Sequence, residues 1–156
     1  MSPRSNEFLD AARRRLAAAA VVADEDPSTA LSAAYYAMLY AVRAALSERD
    51  IHARTHRGAW HEFHQRFVET GAIDRELAGA AHKVQGEREQ ADYDAWEAPT
   101  DEVRRVIDLA GRFVAAIEQT SSTYGSCTLP RARRSVPSRR RSPRCWGRTR
   151  RWITQR

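Results

Sequence analysis

The residues with most chemistry to offer fall in two stretches. Arg88-Glu89-Gln90-Ala91-Asp92-Tyr93 sets a guanidinium, carboxylates and a phenol close together. A guanidinium is a planar fork of N–H donors that matches a phosphate or carboxylate with two parallel hydrogen bonds. Arg88 and Asp92 are four apart, so on a helix they share a face. They read either as a surface ion pair, worth roughly a few tenths of a kcal/mol, or as groups acting at an interface or on a phosphate. Tyr93 lies about 140° around an ideal helix from Arg88. The two meet only if the helix ends near Asp92 or if they come from two subunits. By residue type alone, Tyr93 reads more readily as a packed, hydrogen-bonded core residue than as a site residue.

The second source of chemistry is histidine, at positions 52, 56, 61, 64 and 82. Imidazole is the side chain whose ordinary pKa lets it move protons near neutral pH. His61-Glu62-Phe63-His64 is one residue short of HExxH, which needs its two ligands at i and i+4 and not i+3. His52 and His56 are four apart but fall in a predicted connection. No metal site is expected, and His61, His64 and His82 read as polar-face residues. His56 reads as fixing the turn before the next helix. No Gly-rich phosphate loop, Ser-His-Asp set or catalytic carboxylate pair stands out, so no cofactor is expected.

The elements that must position these groups are helical. Apolar residues recur at a spacing near 3.6 in five segments, with no convincing period-two run. The first helix is expected from Asn6 to Ala23, with Phe8, Ala12, Leu16, Ala19 and Val22 inward. Asp26 caps a second helix with Pro27 at its first position, where a missing N–H is harmless. That helix, to about Arg49, has one stripe of Leu31, Tyr35, Met38, Val42 and Leu46. Beside it runs a face of Ala30, Ala34, Ala37, Ala41 and Ala44, whose small side chains let a neighbour come close and place this helix at the centre. A polar connection over 50–57 precedes a third helix, Gly58 to Glu69, with Trp60, Phe63 and Phe67 on one face and Gly71 as its cap. Asp74 caps a fourth helix to Tyr93, and Pro99-Thr100-Asp101-Glu102 starts a fifth with a stripe of Val103, Val106, Ala110, Phe113 and Ile117. The predicted fold is all-α, an up-and-down antiparallel bundle of four to five helices.

Composition divides the chain in two. It carries 26 basic and 20 acidic residues, but 121–156 holds 11 Arg and no acid, which leaves 15 basic and 20 acidic residues in 1–120. The basic pI therefore belongs to the tail and does not make the body a DNA-binding module. The tail is Arg, Ser, Pro, Gly and Cys without apolar period, and it reads as disordered. It is the out-of-frame end of a GC-rich gene, which a single lysine (Lys83) against 25 Arg also hints at, a basic arm for phosphates, or a solvated tail of no consequence. No site is assigned to it. The domains are thus 1–120, the bundle, and 121–156, the tail. Both cysteines, Cys127 and Cys145, lie in the tail, so the body needs no disulfide. No run approaches a membrane span, and Arg4, Glu7 and Asp10 replace a signal peptide's apolar core, so a cytoplasmic protein with no membrane contact is expected.

Three segments in order resemble the HEPN domain: Ser32-Ala33-Ala34-Tyr35-Tyr36-Ala37-Met38, then Thr55-His56-Arg57-Gly58 leading to Phe63 and Phe67-Val68-Glu69-Thr70-Gly71, then Arg88-Glu89-Gln90-Ala91-Asp92-Tyr93. The resemblance covers about residues 5 to 120 and is similar to the uncharacterised prokaryotic branch. It implies a bundle that dimerises and is encoded with a minimal nucleotidyltransferase as toxin and antitoxin. Active toxin members are implied to be metal-independent ribonucleases, with an Arg, four to six residues, then a His, paired at the dimer interface. Here Tyr93 stands where that His is expected. Metal-free RNA cleavage needs a group near pKa 7, which histidine provides and tyrosine, at about 10, does not. Arg88 can hold a phosphate, and His56 supplies the imidazole if the fold brings it near. Tyr93 is also nearest to the modifiable tyrosine of some toxin members. Tyr36, lining the cleft or the dimer surface, and Arg57 are the binding candidates. Three functions follow: a homodimeric bundle that binds and is regulated by a nucleotidyltransferase-type antitoxin; a ribonuclease using Arg88 with His56 or Tyr93, supported by Asp92; or a bundle that binds a nucleotide or RNA without chemistry.

Overall fold

The computed structural model describes residues 1–93 and 98–124, with side chains for 1–89 and 98–120. Among the described residues it is all-α, with five helices and no strand: α1 (Pro3–Val22), α2 (Pro27–Ser47), α3 (His56–Phe63), α4 (Arg75–Tyr93) and α5 (Thr100–Tyr124). α3 runs on through a π-helical turn, His64–Val68. The expectations about the basic tail past Tyr124 lie outside the described residues. No described helix is long and apolar enough to cross a membrane.

The caps explain most of the boundaries. Ser2 accepts a hydrogen bond from the Ser5 N–H at 3.1 Å, and Pro3 follows it. This is the same cap-then-proline device as Asp26-Pro27, so α1 begins at Pro3 and not at Asn6. Asp26 accepts from the Thr29 N–H (2.9 Å) and from its hydroxyl (2.7 Å). These bonds hold its carboxyl below the usual range. Asp74 accepts from the Leu77 N–H at 2.8 Å. Gly71, at φ 75°, ends the third segment, and Asp50, at φ 55°, ends α2. In the second case the Ile51 N–H reaches back to the Leu46 carbonyl at 3.1 Å.

α2 touches each of the other four helices. Both of its expected faces are buried, the apolar stripe and the alanines alike. Because alanine leaves little volume between axes, α1 comes close enough for the buried Ser5 hydroxyl to donate to the Ala44 carbonyl at 2.9 Å. The Ser2 N–H donates to the Glu48 carboxylate at 2.6 Å, so the start of α1 meets the end of α2. Arg13–Glu118 and Arg104–Asp24 set α1 antiparallel to α5 as well. Their side chains are mostly exposed, so they fix register more than they add stability.

The second half of the core is aromatic. Trp60, Phe63 and Phe113 pack with centroids 5.7 to 6.1 Å apart. The π turn extends this ladder by laying Phe67 on Phe63, at 5.3 Å and 19° between planes. The extra residue per turn also buries Val68. Arg49 closes the end, its guanidinium 4.2 Å from the Phe67 ring centroid.

Two substitutions test this packing. Ala34→Leu puts a large side chain into a fully buried position and is expected to cost about 1–3 kcal/mol. Gly71→Ala is expected to cost about 1 kcal/mol, since its φ suits only glycine well. Urea midpoints at unchanged slope measure both.

Candidate functional site

The site begins with a cap. Thr55 turns its hydroxyl back to accept from the Gly58 N–H at 3.0 Å, which starts α3 two residues earlier than its apolar pattern implies. A Cβ on Gly58 would meet the Thr55 Oγ1 at 2.9 Å, so glycine leaves the space the cap occupies. His56, expected in a connection, is therefore the first residue of α3 and is held by the helix.

Its imidazole meets two consecutive tyrosines of α2. The His56 Nδ1 is 3.3 Å from the Tyr35 hydroxyl. Either ring tautomer satisfies this contact: the phenol donates to a bare Nδ1 and accepts from a protonated one. The Tyr36 ring stands edge-on to the imidazole, at 5.9 Å and 87°. On Tyr36 lies the guanidinium of Arg88 from α4, 5.7 Å from the ring centroid. The order through space is Tyr35, His56, Tyr36, Arg88, drawn from three helices.

The electrostatics follow from burial and from two arginines. Burial pushes the His56 pKa below its ordinary value, the positive charges of Arg43 and Arg88 push it further, and Glu89 opposes them. Tyr35 is raised by burial foremost, against which the nearby Trp60 indole N–H works. That indole N–H lies outside good hydrogen-bond geometry with any acceptor, so its influence on the phenol is that of a dipole. At pH 7 the site holds a neutral imidazole on a neutral phenol.

Sequence reading missed two members. Arg43 lies seven residues after Tyr36, two helical turns along the same face, and that spacing was the available signal. Tyr35 is buried as expected of a core residue, but a buried phenol needs a partner, which the choice of Tyr over Phe already hinted. Arg57 is not part of the group. It is exposed and lines a separate cavity of about 310 Å³ between α3 and α4. Tyr93 closes α4, but its side chain and that of Asp92 lie outside the described residues. A larger groove of about 580 Å³ between α4 and α5 holds none of these groups. Among the described residues, no three His, Cys, Asp or Glu side chains are grouped so as to hold a metal ion.

With this geometry in hand, comparison with known proteins is informative. The HEPN domain family model matches residues 4–120. The chain belongs to the HEPN domain family. A UPF0332 protein of Thermotoga maritima is 30% identical over 117 residues, covering 74% of this chain and 84% of that protein. A protein of Methanocaldococcus jannaschii named "Putative toxin MJ0142" is 36% identical over 66 residues, covering 42% of this chain and 45% of that protein. A UPF0332 protein of Gloeobacter violaceus is 32% identical over 78 residues, 49% of this chain and 62% of its own length. Thus this HEPN chain matches less than half the length of the relative named for toxicity.

Two measurements check the site. In the folded HEPN protein the His56 imidazole takes up its proton below the ordinary histidine value of about 6.5, and Arg43→Gln moves that titration upward, both read by NMR. The linkage has one sign. The unfolded chain binds this proton first as pH falls, so stability present above about 6.5 is lost below it. The melting temperature is expected to fall more between pH 7.5 and 5.5 in the wild type than in His56→Gln. Thr55→Ala is expected to cost about 1 kcal/mol and to perturb the His56 resonances, because the cap places the ring.

Proposed function

We propose that this HEPN protein is a toxin-type ribonuclease that cuts RNA without a metal. The reading rests on one observation, the seating of a neutral, half-buried imidazole beside two phenols and two arginines. In this reading Nδ1 of His56 donates its proton to the Tyr35 oxygen, which leaves the Nε2 lone pair available. Nε2 takes the proton of a ribose 2′-OH, and the oxygen attacks the adjacent phosphorus. The 5′ oxygen departs and takes a proton from water, and His56 then gives its own proton back to solvent. The products are a 2′,3′-cyclic phosphate and a 5′-hydroxyl. Arg88 holds the phosphate with its fork of donors, and Arg43 adds positive charge where negative charge develops. Tyr35 is a positioning residue that fixes the tautomer, and Tyr36 presents the guanidinium.

The name of the Methanocaldococcus relative supports the toxin class. A toxin needs a neutraliser, and the HEPN pattern favours an antitoxin of the nucleotidyltransferase type acting on a homodimer in the cytoplasm. That half of the reading draws its support from the family and not from a contact in this chain. Its alternative, a bundle that only binds and is regulated, is disfavoured by the seating of His56. The arrangement brings a proton-transfer group and two positive charges together, which binding alone does not require.

The experiment is cleavage of a single-stranded oligoribonucleotide by purified protein in EDTA. Cleavage is expected, ending in cyclic phosphate. His56→Ala is expected to reduce it by roughly 100- to 10,000-fold, and Arg88→Ala to reduce it as well. Tyr35→Phe is expected to lower kcat and shift the acid limb of the pH profile. Unchanged cleavage in His56→Ala removes the mechanism, and no cleavage by any form leaves the binding bundle.

A further inference from the structure

α3 offers different chemistry to its two sides. His56 turns to the tyrosines of α2, while Arg57, His61 and His64 line the cavity toward α4, with His82 on its far wall. Among the described residues, one guanidinium and three imidazoles line this cavity, and no carboxylate does. That is unexpected in a body where acids outnumber bases 20 to 15. The nearest acid on α3, Glu62, is turned to Arg66 at 3.5 Å. Among the described residues, the side chains of Arg57, His61 and His64 make no hydrogen bond or ion pair, so their donors are available.

The cavity also has an aromatic side. Trp60 is 3% exposed and cannot itself be reached. The exposed His82 ring lies flat on it, at 5.2 Å and 28°. An imidazole backed by an indole is a rigid platform with one open face, the arrangement on which a nucleobase stacks. The volume, about 310 Å³, is at the small end of ligand sites and suits a base better than a protein segment. Gly79 of α4 lines the opening, with nothing within 4 Å of where its Cβ would stand.

We propose that this cavity is the subsite for the RNA nucleotide next to the one cut. Its base stacks on the His82–Trp60 pair, and Arg57 with His61 and His64 holds its phosphate. The assignment deepens the ribonuclease reading and rests on it for the word RNA. His56 and Arg57 are consecutive, so a strand crossing the first turn of α3 reaches both sites. The near-HExxH segment then has a use that involves no metal: the i, i+3 spacing of His61 and His64 puts both imidazoles along one cavity wall.

The test follows assigned imidazole resonances of the full chain, as His56→Ala to prevent turnover, during titration with 5′-adenosine monophosphate, adenosine or inorganic phosphate. The mononucleotide is expected to shift His61, His64 and His82 and to leave His52 unmoved. Adenosine alone should act on His82, and phosphate alone on His61 and His64. Arg57→Gln is expected to weaken the mononucleotide roughly tenfold through loss of the charged fork. Gly79→Leu, which adds bulk at the edge this cavity shares with the α4–α5 groove, is expected to abolish these shifts at unchanged helical content. With His56 restored, Gly79→Leu should raise KM for RNA and leave kcat as it was. Mononucleotide shifts that miss the three imidazoles, or that persist in Gly79→Leu, overturn the assignment. If RNA is cut and Gly79→Leu keeps the wild-type KM, the subsite falls and the cleavage reading stands. If no RNA is cut but the three resonances respond as stated, the cavity binds nucleotides and cleavage is what fails.

Discussion

A helix with alanine at 30, 34, 37, 41 and 44, every one of them fully buried, leaves its neighbours little space except close against its backbone. This constraint shapes the rest of the bundle. Alanine gives up no side-chain entropy on burial, and its small volume lets van der Waals contact form between helix axes rather than between side-chain tips. The buried Ser5–Ala44 hydrogen bond measures how close the approach is, since a serine hydroxyl is short. α2 is thus clamped by α1 on one side and α5 on another. A clamped helix is a good mount for a site, and Tyr35, Tyr36 and Arg43 all project from it.

The other half of the site depends on a smaller device. Thr55, His56 and Gly58 act together: the hydroxyl caps the helix, the missing Cβ at Gly58 makes room for that hydroxyl, and the imidazole is carried on the first residue of the helix. A histidine in a loose connection would lose rotamer freedom on meeting a partner. Fixed at a capped helix start, it meets Tyr35 with that loss already incurred by folding. The two arginines then act through charge on a ring they need not touch. A half-buried imidazole near two cations stays neutral, and a neutral imidazole is what proton abstraction requires.

What was legible in the sequence was local. The stripes of α2 and α5, the Asp26 and Asp74 caps and the Gly71 stop each depend on residues within one or two turns, and each stands where its pattern placed it. What was illegible depends on distant partners. The π turn at His64–Val68 arises because Phe67 stacks on a ladder that includes Phe113, some 45 positions on. His56 reads as part of a connection because the apolar stripe of the third helix begins only near Gly58, and the Thr55 hydroxyl has no periodicity. Arg43 was absorbed into an apolar helix, although its spacing from Tyr36 was in plain view. Arg57 was grouped with His56 because they are adjacent in the chain, yet a helix sends neighbours about 100° apart, and the two serve different sides of α3.

Net charge is the weakest guide of all to this protein. Residues 1–120 are acidic overall, yet Arg43 and Arg88 act on His56 on one side of α3, and Arg57 with three further imidazoles lines the cavity on the other. Glu89 is the acid that opposes those arginines at His56. Glu76, Glu87 and Glu102 border the α4–α5 groove, where burial and the charge of Glu102 hold the Glu87 carboxyl above its ordinary value. Lys83, Arg105 and Arg112 line the same groove, so its carboxylates face an equal number of cations. At physiological salt, fields between exposed charges fade within about 8 Å, so a polyanion responds to the face it approaches and not to the sum over the chain. Under the RNA reading this charge-balanced groove has little net pull on the strand, and the arginines and imidazoles on the two sides of α3 receive it.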